Sequence, residues 1–120
     1  MVAIRYDFEA SLRFLSAEEG GRKSISIFQG YRPDFRYKHG LEEGFMIWPS
    51  FLSVDSFPLD KGSVVDTSRQ LKAFMTIISD ELRVSVHQKR LSPGVEFYLI
   101  EGSRIVADGQ VVKILDLQLG

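Results

Sequence analysis

Residues 4–14 read Ile4-Arg5-Tyr6-Asp7-Phe8-Glu9-Ala10-Ser11-Leu12-Arg13-Phe14. Apolar side chains and Ala10 hold the even positions; Arg5, Asp7, Glu9, Ser11 and Arg13 hold the odd ones. Successive side chains of a strand point to opposite faces. Strict alternation therefore predicts one long strand, with Ile4, Tyr6, Phe8, Leu12 and Phe14 buried and the odd positions in water.

Working outward, the strand ends at Glu18-Glu19-Gly20-Gly21, where glycine supplies the backbone freedom of a tight turn. Alternation resumes with Ile25 and Ile27 and breaks at Gly30-Tyr31-Arg32-Pro33. Pro33 has no N–H for a ladder and disfavours helix at Arg32. Residues 35–38 read as a short strand. Residues 45–54 are rich in aromatic and bulky aliphatic side chains around Pro49, which predicts an edge strand or a strand broken by a bulge.

Residues 71–78 read as a strand, with Thr76, Ile77 and Ile78 favouring β. Residues 82–86 alternate again. Ser92-Pro93-Gly94 turns the chain into a strand over 95–100. Glu101-Gly102-Ser103-Arg104 fits a two-residue type II′ hairpin with a cross-strand Glu101–Arg104 pair. Residues 105–115 close the chain, with Gly109 a candidate bulge. Residues 61–71 are the one stretch read as able to hold a helical turn. Many short strands at regular spacing predict an all-β fold, a small closed or nearly closed antiparallel barrel.

Composition bounds the function classes. The 120 residues suit one domain, spanning 1–120. A net charge of −1 gives no global field for nucleic acid or anionic membrane, so any RNA contact needs a local patch. The absence of cysteine excludes disulfides, thiolate metal sites and cysteine nucleophiles. His39 and His87 have no ligand spacing around them, so no metal site is expected. The charged residues Arg5 and Asp7 interrupt the start of the chain, and the apolar window 45–52 is short and contains Pro49. Neither a signal peptide nor a membrane span is expected, and the chain reads as cytoplasmic.

Leu15-Ser16-Ala17-Glu18-Glu19-Gly20-Gly21-Arg22 followed by Gly30-Tyr31-Arg32-Pro33 resembles the opening of the C-terminal β-barrel domain of elongation factor Tu. The likeness returns at Gly94-Val95-Glu96-Phe97, at Glu101-Gly102-Ser103-Arg104 and at Val111-Val112-Lys113-Ile114, with residues 71–78 similar to the strand between. It departs at residues 58–62, at Lys23 and Asp34, at Ala107-Asp108-Gly109, and at residues 82–88, which look like an insertion or a reworked loop. The resemblance implies a docking module, not an enzyme. In the factor this domain meets the T-stem of aminoacyl-tRNA, the GTPase domain and the exchange factor. No Gly-x-x-x-x-Gly-Lys-Ser/Thr phosphate loop occurs in the chain, so GTP binding is not expected and no cofactor is implied.

The candidate partner surface is Arg22, Lys23, Tyr31, Arg32, Arg36 and Lys38, cations interleaved with Tyr31, Phe35 and Tyr37. Read functionally, the cations contact phosphates and the aromatics pack or stack, which would suit tRNA or another structured RNA. Read structurally, this is a solvated sheet face whose cations pair with nearby acids. The expected function is a non-catalytic module binding RNA or a translation-related protein. The alternative is a protein-interaction or immunity-type regulatory domain with no nucleic-acid role. Trp48, beside Phe45, Met46 and Phe51, is expected in the core, with an exposed partner patch as the alternative.

Overall fold

The computed structural model describes residues 5–21, 26–40 and 43–116. Its strands are β1 (Phe8–Phe14), β2 (Asp34–Tyr37), β3 (Phe45–Phe51), β4 (Leu71–Ile77), β5 (Glu96–Glu101) and β6 (Arg104–Ile114). They form a closed barrel in the order β1-β4-β3-β2-β5-β6, every neighbouring pair antiparallel. The expected all-β closed barrel is what the chain forms.

Alternation builds the core as expected across most of β1. Phe8, Ala10, Leu12 and Phe14 are buried, while Arg13 is exposed. Inside the barrel, Phe35 stacks on Phe97 with ring centroids 4.5 Å apart, and Phe8 meets both edge-on. Rings of this size fit a six-stranded lumen only where neighbouring positions are small. Ala10, Ala73 and Ala107 are fully buried. Gly109 lies opposite Phe97 in the ladder, and a Cβ there would stand 2.3 Å from the Phe97 ring. Gly109 is thus a seat for an aromatic ring and not a bulge. The bulges lie at Val106 and Val112, which the β5 and β1 registers skip.

The turn at Gly102 has φ +61°, and Ser103 is not in the left-handed region, which is the type II′ geometry expected. Pro49 lies inside a barrel strand, opposite Met75. Leu52 N donates to Lys72 O on the β4 side, whereas Phe51 faces away from β4. By alternation the Pro49 nitrogen also faces away from β4, toward β2, whose ladder stops at Met46. No hydrogen bond is lost there. Farther along that side, the Gln29 carboxamide accepts from Phe51 N at 2.8 Å and donates to Phe51 O at 3.2 Å and Leu59 O at 3.0 Å. One side chain stands in for a missing stretch of strand.

Three further expectations are corrected. The alternation slips at the start of β1: Asp7 and Phe8 both turn inward, and Tyr6 packs on Phe74 outside the barrel. Ile4 lies outside the described residues. Residues 82–86 are helical, not extended: α1 (Asp80–Leu82), a π-helical turn (Arg83–His87) and α2 (Gln88–Arg90) run on without a break. Ser79 starts this segment by accepting from Leu82 N, and Asp80 and Glu81 suit its first turn. Its buried residues are Arg83 and His87, four apart, so no apolar helical period was present to read. Residues 61–71 hold turns and no helix.

Because the Gly109 seat has no room for a methyl group, Gly109→Ala should lower stability by about 1–3 kcal/mol in urea denaturation. Phe97→Leu in the same chain should recover part of that loss, because the shorter side chain vacates the space. Additive losses in the double variant would show that the two residues are not coupled.

Candidate functional site

Two groups of side chains could carry chemistry or recognition: a polar cluster inside one end of the barrel and the outer face of β2 and β3.

In the inner cluster, Asp7 and Arg83 are buried together. Arg83 Nε lies 2.8 Å from Asp7 Oδ1 and Nη2 3.1 Å from Oδ2. Arg83 also donates to Ile77 O at 2.6 Å and to Asp80, while Ile77 N donates to Asp7 Oδ2 at 2.8 Å. Beside it, the Tyr37 hydroxyl and His87 Nδ1 share a hydrogen bond of 2.7 Å. The imidazole sits among Phe35, Tyr37 and Phe45. Burial holds its pKa down to about 4, against a smaller opposing pull from Asp7, with the Arg83 charge lowering it further. Burial likewise pushes the Tyr37 hydroxyl up. Arg83 is 3% exposed and His87 2%, and Asp7 also pairs with Arg5 at 3.3 Å. The arrangement fastens the helical segment over the barrel end, and of this cluster Tyr37 also lines a cleft of about 420 Å³ with His39, Lys89, Arg90 and Glu96.

The outer face holds the residues singled out in the sequence. Arg22 and Lys23 lie outside the described residues. Arg32, Asp34, Arg36 and Lys38 alternate with the inward Phe35 and Tyr37, so three of the named cations share one face. The Arg32 guanidinium lies 4.5 Å from the Trp48 ring centroid; Arg36 and Lys38 lie 5.4 and 5.7 Å from that of Tyr98. Lys38 also pairs with Glu96 at 3.4 Å, which raises its pKa. Tyr31 does not join this row. It packs on Phe14, and its hydroxyl donates to Glu101 at 2.5 Å. The face therefore alternates Arg32, Arg36 and Lys38 with Asp34 and Glu96.

Trp48 overturns its assignment to the core. It is half-buried on the outer wall, in a cleft of about 320 Å³ shared with Tyr6, Gln29, Gly30, Ser50, Pro58, Leu59 and Lys61. Among the described residues, five of the nine exposed large apolar side chains come from the segments that border it: Phe28, Met46, Val54, Phe57 and Val64. Such concentration makes this face a candidate interaction surface, whereas single exposed apolar residues are ordinary. Counting by twos from Phe45 through Ile47 would have put Met46 and Trp48 outside. Nothing in the sequence placed Pro58, Leu59 and Lys61 beside them, because that contact depends on how the 53–64 loop returns to the wall.

No protein-family model matches the sequence. Among the described residues, no helix is long and apolar enough to cross a membrane.

A buried neutral histidine ties stability to pH with a definite sign. The unfolded chain binds a proton near the ordinary histidine pKa of 6.5, and the folded chain resists until about 4. Stability should be full above pH 6.5 and fall as the pH drops toward 4, by on the order of 2–3 kcal/mol. Denaturation at pH 7 and pH 5 should show the fall in the wild type and a shallower one in His87→Gln. Equal slopes in both proteins would remove His87 as the cause.

Proposed function

We propose that the chain is a non-catalytic binding module of the elongation factor Tu C-terminal barrel type, acting in the cytoplasm, and that it docks a protein through the outer face around Trp48. The carrying observation is the cleft itself. Trp48 and Tyr6 wall an apolar recess, Arg32 stacks on the indole, and exposed apolar side chains stand on the chain segments that border it. Tryptophan, tyrosine and arginine are the side chains that most often dominate binding energy at protein interfaces.

The RNA reading has less support from the same face. Phosphate contacts draw their strength from cations free of competing carboxylates. Here Glu96 neutralises Lys38, and Asp34 projects between Arg32 and Arg36. The resemblance at residues 15–35 and 94–104 supports the barrel type, and the six-stranded closed barrel is compatible with it.

Labelled tRNA titrated at two salt concentrations should show no binding that depends on Arg32, and Trp48→Ala should abolish capture of a protein partner that survives RNase treatment. Salt-sensitive tRNA binding that weakens in Arg32→Ala would overturn the protein reading in favour of RNA. Calorimetry with GTP should show no heat of binding; stoichiometric retention of the nucleotide would overturn the expectation that the chain binds no GTP.

A further inference from the structure

We infer that the Trp48 cleft receives the 53–57 loop of a second copy of this chain, in a reciprocal two-fold dimer. This rests on the docking reading above and names the partner.

The cleft asks for a particular occupant. Its walls are Tyr6, Trp48, Pro58 and Leu59; its lining includes Lys61 and no carboxylate. Arg32 stands over Trp48. Among the described residues, neither Arg32 nor Lys61 has a carboxylate within ion-pair distance. A fitting occupant brings a bulky apolar side chain and an acid close beside it.

The loop next to the cleft is such an occupant. Val54-Asp55-Ser56-Phe57 exposes Val54 to 73% and Phe57 to 70%, with the exposed Asp55 between them. Asp55 has no ion-pair partner among the described residues. The loop is held in this form before any contact is made. Ser53 N donates to Phe57 O at 2.7 Å, Ser56 N to Ser53 O at 2.9 Å, and Phe57 N to the Ser53 hydroxyl at 3.3 Å. Ser56 sits at φ +67°, a conformation a serine holds only when its surroundings fix it. A rigid loop loses little freedom on docking.

Knob and cleft adjoin in one chain, since Phe57 precedes the wall residue Pro58. A single patch carrying both is self-complementary, which is what a two-fold interface requires. In the dimer each Phe57 enters the other copy's cleft, and each Asp55 meets the other copy's Lys61 and Arg32. The remaining rim side chains, Phe28, Met46 and Val64, extend the apolar contact around both knobs.

Sedimentation equilibrium on the whole chain tests this. The wild-type mass should rise with concentration from 13.6 kDa toward twice that value. Phe57→Asp should weaken association roughly thirtyfold or more, the effect of losing a hot-spot side chain. Trp48, the sole tryptophan, should shift its fluorescence to the blue as the wild type associates. Asp55→Lys and Lys61→Glu should each weaken the homodimer, and their equimolar mixture should associate more tightly than either alone, because one knob keeps its wild-type contact with Lys61 and Arg32 while at the other the introduced lysine meets the introduced glutamate, with Arg32 still opposing it. Circular dichroism checks that each variant is folded. A monomeric wild type at every concentration, a Phe57→Asp variant that still dimerises, or a mixture that stays monomeric overturns the inference. If a monomeric chain nevertheless binds another protein through Trp48, only the self-docking falls. If it binds nothing there, the docking reading falls too.

Discussion

The Arg83–Asp7 ion pair is the contact on which the arrangement of the barrel end depends. Asp7 ties the lead-in to β1 to the end of β4 through Ile77 N, and Arg83 adds the helical segment to the same carboxylate. Removing two charges from water costs several kcal/mol unless every lone pair and proton finds a partner. Here the carboxylate accepts from Ile77 N and the guanidinium, and the guanidinium also reaches Ile77 O and Asp80. The inward turn of Asp7, the slip in the β1 pattern and the position of the π-helical turn are one fact seen from three elements. Arg83 reaches Asp7 only if that turn faces the lumen, and the same turn then delivers His87 to Tyr37.

The barrel was legible because its strands obey a period that local sequence carries. Phe8, Ala10, Leu12 and Phe14 alternate with polar residues, and Glu101-Gly102-Ser103-Arg104 specifies its turn by chemistry alone. The cap was hidden for a physical reason. A helix is recognised by its apolar stripe, and this one turns an arginine and a histidine inward while leaving Val84 exposed. Val84 and Val86, read by twos, imitate a strand. Asp7 misled in the same way: a carboxylate between aromatic residues is expected in water unless its partners are known, and although Arg5 lies 3.3 Å from it, the buried partner Arg83 is 76 residues away.

The candidate surface was half legible. Alternation put Arg32, Arg36 and Lys38 together, but it said nothing about what lies across the sheet. Tyr98 and Trp48 take the guanidinium groups, and Glu96 takes the ammonium, because β5 and β3 flank β2 in the closed order. A row of cations in sequence thus becomes a surface of mixed charge in space. Tyr31 parted from that row because the Gly30–Pro33 turn directs it toward Phe14.

The seam between β2 and β3 limits how anything can be held beside it. An incomplete barrel wall usually offers bare amide groups onto which another chain can add as an extra strand. Here Pro49 has no amide hydrogen to offer, and the Gln29 carboxamide already occupies both polar groups of Phe51. No backbone N–H is left free for pairing at these two positions even though the strands have parted. Any recognition on this side would rest on side-chain shape and charge, so its specificity could change by substitution at the surface while the barrel's hydrogen bonds stay as they are.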